Sequence, residues 1–168
     1  MKPWIKGIVI AAIHVGLVAS LGAKLLYDRR TRPHVWTLAA PYDPNLPIRG
    51  RYVSLQPVVE LKGIDAKEGE QTAATVVLGV AGDRLVAEAA PPESSDLRVQ
   101  FIRRGDQRLA VLREPLAFFI PEHVPDPSRR PPDEELWVEV TVPAKGPPRP
   151  IRLGVKKGDG PIVPLRIE

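Results

Sequence analysis

From Gly7 to Ala23 the chain carries no charged side chain, and no other feature of the sequence limits its fold as tightly. With Ile5, Leu25 and Leu26 the apolar stretch reaches about 22 residues, which as a helix rising about 1.5 Å per residue is about 33 Å, enough to cross a bilayer. Lys6 and Lys24 fall at its ends, where aliphatic stems let their ammonium groups snorkel outward, and Trp4 and Tyr27 stand at headgroup depth. The sequence thus predicts a membrane anchor over residues 1–32, with a helix at about 5–26 and a basic flank. A cleaved signal peptide needs small residues at the last and third-last positions before the cut. Ser20-Leu21-Gly22 is a mediocre match and a cut after Ala23 leaves Leu21 third-last, so an uncleaved signal anchor is the favoured reading. His14 lies mid-span, where a neutral imidazole is the cheapest ionisable group to carry. If it has a specific role, that role is contact with a partner helix, because Gly7, Ala11, Ala12, Ala19, Ser20 and Gly22 supply small-residue surface for such packing.

The net charge of +4 belongs to this anchor. Residues 1–32 hold Lys2, Lys6, Lys24, Arg29, Arg30 and Arg32 against Asp28 alone; of 24 basic and 20 acidic side chains in the chain, that leaves 18 basic against 19 acidic. The following segment, residues 33–168, therefore has no basic surplus to draw phosphates, and pairs such as Arg103-Arg104 and Lys156-Lys157 are weak signals, so no nucleic-acid partner is expected.

Twenty prolines and thirteen glycines are too many for a mainly helical fold and too dispersed for a low-complexity chain. Beyond Pro33 the apolar spacing is two. Val53, Leu55, Val59 and Leu61 share one phase, with Tyr52, Ser54 and Gln56 on the other; Leu136, Val138, Val140 and Val142 alternate with Trp137, Glu139 and Thr141; Ile151, Leu153 and Val155 repeat the pattern. Residues 75–80 and 85–89 flank Gly82, and residues 97–103 and 108–112 flank Gly105, each reading as a hairpin. Residues 162–167 make a last short strand, with Pro164 placing it at an edge. Residues 121–132, with five prolines, read as an extended surface loop, and His34 as part of a linker. About eight short strands predict a mainly β domain, an antiparallel sandwich or partly open barrel, after one amino-terminal transmembrane helix.

Chemistry is sparse. Without cysteine there is no disulfide framework, Cys-liganded zinc, iron–sulfur centre or thiol catalysis, and His14, His34 and His123 are too scattered for a metal site, so no cofactor is expected. No GxSxG elbow, phosphate-cradling glycine loop or HExxH helix occurs. A single span followed by a β domain invites comparison with signal peptidases, but no serine lies between Ser20 and Ser54, where such an enzyme needs its nucleophile.

Two segments carry a resemblance. Asp43-Pro44, then Arg49-Gly50-Arg51-Tyr52 and Leu55, and much later Phe119-Ile120-Pro121-Glu122 resemble, in order and spacing, the GDYXXLXY family of bacterial membrane-anchored proteins. Arg51 replaces the family's Asp, and Gln56-Pro57 stands where its closing Tyr belongs. The resemblance implies a tethered β domain on the periplasmic side of the cytoplasmic membrane, without established activity and often encoded beside multi-span membrane proteins. Positive charges near the span favour the opposite orientation, a weak vote for a large following domain.

Physically, Gly50 permits a sharp turn before the strand, and Asp43-Pro44 suits an Asx-type turn. Arg49 requires an anion if partly buried, and Glu122 is the expected partner in a structural clamp. The alternative is a ligand or partner groove lined by Arg49, Arg51, Tyr52, Glu122 and His123; a hydrolase using Glu122 and His123 is a minor third reading. The expectation is a non-enzymatic accessory protein that contacts the lipid bilayer and a multi-span membrane protein, with a small-ligand or envelope-polymer binding domain as runner-up.

Overall fold

The computed structural model describes residues 3–41, 52–64, 74–104 and 107–167. The chain divides into two units, Met1–Arg32 and Pro33–Glu168. The first is a single helix, α1 (Pro3–Thr31), long and apolar enough to cross a membrane. Its apolar side chains are exposed all round, including Ile8, Val15, Leu17 and Val18, as in a helix whose surroundings are themselves apolar. It runs beyond residue 26 because the following turn is capped. Arg29 and Arg30 stand at the negative end of the helix dipole, Thr31 Oγ1 donates to the Tyr27 carbonyl at 2.8 Å, and Arg32 N–H donates to the Asp28 carbonyl at 2.9 Å. Pro33 then disfavours helical geometry at Arg32. His14 Nδ1 lies 2.8 Å from the Ile10 carbonyl oxygen, one turn back.

Among its described residues the second unit is built of strands and loops, with no helix. Among the described residues its strands are β1 (His34–Pro41), β2 (Tyr52–Pro57), β3 (Glu60–Lys62), β4 (Ala74–Ala81), β5 (Arg84–Ala89), β6 (Arg98–Arg104), β7 (Gln107–Leu112), β8 (Leu116–Phe119), β9 (Glu134–Thr141), β10 (Arg149–Lys157) and β11 (Val163–Pro164). They form two curled sheets, a six-stranded one in the order β11-β10-β9-β1-β2-β8 and a five-stranded one in the order β3-β5-β4-β6-β7. Every pairing is antiparallel except β3 with β5. Period-two spacing works as expected where one face is buried: Leu136, Val138, Val140 and Val142 all enter the core with Leu153, Val35 and Leu55. The Gly82 hairpin also forms, with Ala81 opposite Arg84 and Gly82 at φ 64° in the first position of the two-residue turn. Gly105 lies outside the described residues, though β6 and β7 pair on either side of it.

Three expectations need correction. The linker expected at His34 is the start of β1, an interior strand of the six-stranded sheet that pairs with β9 from His34↔Thr141 to Leu38↔Trp137. The alternating segment Val53–Leu61 is two strands, because the chain leaves one sheet for the other between Pro57 and Glu60. Pro57 is fully buried and has no N–H to continue a ladder. Gln56, assigned to the opposite phase from the core residues, is nonetheless only 3% exposed, its Nε2 donating to the Arg113 carbonyl at 3.3 Å.

That corner joins the two sheets. Val58 bridges Val111, Val59 N–H donates to the Ala110 carbonyl at 2.9 Å, and between Leu112 and Leu116 the chain returns alongside to the six-stranded sheet. Strands that switch sheets make such corners in orthogonally packed β folds. The loop from Pro121 to Pro132 contains no helix or strand; Asp126 Oδ1 accepts from Ser128 N–H at 2.9 Å, and Arg130 Nε donates to the Pro127 carbonyl at 3.1 Å. The last strand shrinks to Val163–Pro164 at the sheet's edge, where Pro161 before it and Pro164 within it have no N–H to donate.

Candidate functional site

Of the residues carrying the sequence resemblance, Asp43, Pro44, Arg49, Gly50 and Arg51 lie outside the described residues, and with them the expected Arg49–Glu122 clamp. The two segments themselves do meet. β2 and β8 pair antiparallel with Tyr52 opposite Phe119 and Leu55 opposite Leu116, although more than sixty positions separate them in the chain. Alternation divides their labour: Leu55, Leu116 and Ile120 are buried in the core, whereas Tyr52 is 37% and Phe119 is 71% exposed on the opposite face. Leu55 is thus a packing residue. Pro121, without an N–H, follows the end of β8, and Glu122 and His123 are exposed at the start of the loop. No group of three metal-ligating side chains occurs among the described residues.

The same register places a second constellation on that outer face. Trp36, Glu139 and Arg152 are cross-strand neighbours on β1, β9 and β10, with Leu38, Trp137 and Gly154 in the next outward-facing row. Glu139 is only 8% exposed. Arg152 Nε donates to its Oε2, His34 Nδ1 lies 3.7 Å from its Oε1, and the Arg152 guanidinium sits 5.4 Å from the Trp36 ring centroid. The Arg152 side chain is itself half exposed, so water shares in solvating the cation while the carboxylate depends on its partners. A Cβ on Gly154 would meet Ile162 Cγ2 at 2.8 Å and Trp36 Cζ3 at 2.9 Å, so only glycine lets the indole and the segment before β11 close over the sheet here. Sequence reasoning passed over Trp36, Glu139 and Arg152. One signal was present: Glu139 is an acid between Val138 and Val140 in a strand whose neighbours are apolar.

Beside these residues, where β1 approaches β5, lies an open groove of about 440 Å³. Its lining includes Trp36, Leu38 and Trp137 from the six-stranded sheet, and Glu60 and Arg84 from the five-stranded one. Lys156 Nζ stands 5.6 Å from the Trp137 ring centroid, and Trp137 Nε1 donates to Glu135 Oε2 at 3.3 Å. Arg84 Nη1 pairs with Glu60 Oε1 at 2.6 Å.

Two further groups have shifted titration. The Lys157 ammonium bonded at 2.9 Å holds the Asp133 carboxyl below the usual carboxylate range, and Asp133 in turn raises Lys157. Both side chains are largely exposed, and the pair joins the end of the Pro-rich loop to the end of β10.

Comparison with family models, with curated proteins and with solved structures gives no match for this chain.

Proposed function

We infer that this protein is a non-enzymatic accessory protein of the bacterial cytoplasmic membrane, held by α1 as a single-pass anchor, whose β domain lies on the periplasmic side and contacts a multi-span membrane protein. Membership of the GDYXXLXY family is part of the same proposal. One observation carries most of its weight: the two segments of the resemblance converge on the exposed pair Tyr52 and Phe119. The pair stands at the last strand of the sheet among the described residues. A large aromatic ring left 71% exposed costs solvation in a free domain and is the kind of residue that anchors interfaces. A sheet edge beside it offers backbone donors and acceptors to an extended segment of a partner.

Copurification in mild detergent tests the reading. The full chain at native abundance is expected to bring down a multi-span protein, and Tyr52→Ala with Phe119→Ala is expected to release it while the domain's unfolding temperature stays nearly constant. Retention of the partner by the double variant contradicts it. Orientation is tested separately with a phosphatase that works only outside the cytoplasm, fused after Glu168; activity is expected, and an inactive but stable fusion contradicts the periplasmic assignment.

A further inference from the structure

The groove between β1, β9 and β5 has the make-up of a ligand site, and nothing in the accessory role uses it. Its volume of about 440 Å³ falls within the range of about 300–1,000 Å³ usual for small-ligand sites. Its apolar lining is formed by two indoles, those of Trp36 and Trp137, together with Leu38, Val58, Val59 and Leu85. Both rings are held before any ligand arrives: Trp36 by the Arg152 guanidinium over its ring and by Gly154 against its Cζ3 and Cη2 atoms, Trp137 by the hydrogen bond to Glu135 and by Lys156. Fixing rings in this way lowers the ordering cost of binding.

The charges then select the ligand. The lining carries Glu60, Asp83, Arg84 and Lys156, two acids and two bases, so the groove has no net sign. A phosphate-bearing or polyanionic ligand would gain from Arg84 and Lys156 and lose as much to Glu60 and Asp83. An acyl chain would strand the exposed Glu60–Arg84 pair against hydrocarbon. What fits is a molecule that is uncharged, apolar on its flat faces and rich in hydrogen-bonding groups at its rim. A pyranose ring is such a molecule: its C–H faces lie on indoles, and its hydroxyls bond to carboxylates and guanidinium groups, which make the stronger, charge-assisted hydrogen bonds. We propose that this groove binds a neutral oligosaccharide, with Trp137 as its principal stacking surface and the Glu60–Arg84 pair as its hydroxyl clamp.

The test uses the full chain in lipid nanodiscs, titrated with cellotetraose, with the tetramer of N-acetylglucosamine and, as a polyanion, with a heparin tetrasaccharide. Binding is read by calorimetry and, in the wild type, by tryptophan emission. Saturable binding of a neutral tetrasaccharide is expected, weakened about tenfold by Trp137→Ala, a loss of the size one aromatic contact supplies. Arg84→Met, on the exposed clamp, is expected to weaken it severalfold without altering the unfolding temperature, which separates loss of the site from loss of the fold. Arg108→Ala, on β7 and outside the groove lining, is expected to leave the affinity unchanged. No saturable binding of either neutral tetrasaccharide, preference for the heparin fragment, or unchanged affinity in both Trp137→Ala and Arg84→Met would each overturn the proposal.

Discussion

The two sheets are built from the same alternating code, yet their outer faces are unlike. On the five-stranded sheet outward charged side chains pair in the open: Lys62 Nζ with Glu88 Oε1 at 3.0 Å, and Arg84 Nη1 with Glu60 Oε1 at 2.6 Å. On the six-stranded sheet the outward rows hold a nearly buried carboxylate, two partly covered indoles and a glycine that only tight packing explains. The difference comes from what covers each sheet. Gly154 lets Trp36 and Ile162 close over the outer face of β10, so Glu139 beside them loses its access to water. Alternation of apolar and polar residues therefore specifies which face is the core, but not whether the other face is wet.

Several substitutions probe that contrast, beginning where the effect is largest. Leu153→Ala, on the inner face and fully buried, is expected to destabilise the domain by about 2–5 kcal/mol in urea unfolding, which sets the scale of the core. On the outer face of the same sheet, Arg152→Ala leaves the Glu139 carboxylate buried without its principal partner and is expected to cost about 2–3 kcal/mol. Glu139→Gln is expected to cost less, because the guanidinium it abandons is half exposed. Equal losses would mean that the outer face is as wet as that of the other sheet. Gly154→Ala forces its methyl group into Trp36 and Ile162 and is expected to cost about 1–3 kcal/mol.

Across on the five-stranded sheet, Lys62→Ala and Glu88→Ala together are expected to change stability by less than about 1 kcal/mol, as is usual for exposed pairs. The smallest effect belongs to Asp133 and Lys157. Since Asp133 titrates lower in the folded state, its contribution is present above its ordinary value near 3.8 and fades as pH falls through the depressed one. Since Lys157 titrates higher, its contribution is present below its ordinary value near 10.5 and fades as pH rises through the raised one. The difference in unfolding temperature between wild type and Lys157→Met should accordingly be widest at neutral pH and shrink at both extremes. A gap independent of pH would show that the pair does not act through charge.

The sequence displayed some of this plainly and concealed the rest for physical reasons. Residues 136–142 and the hairpin at Gly82 were legible because local periodicity and one turn residue suffice to specify them. β1 was not, because Trp36, Thr37 and Leu38 follow a basic flank and a proline and do not alternate cleanly on both faces of an interior strand. The corner after Pro57 was concealed for another reason: a strand keeps its phase through a bend, so periodicity does not report a change of sheet. The convergence of Tyr52 and Phe119 was foreseeable from shared segments far apart in the chain, whereas the Trp36–Arg152–Glu139 constellation draws on three strands whose register only the fold supplies.

We hold that the membrane-protein partner docks on the outer face of the six-stranded sheet and not on that of the five-stranded sheet. Site-specific photo-crosslinking in native membranes tests it most directly, with the crosslinking residue placed at position 119 or at position 77, where Val77 is 41% exposed on the outer face of β4. An adduct with one multi-span membrane protein is expected from position 119 and none from position 77. An adduct with that protein from position 77, or none from position 119, would contradict it.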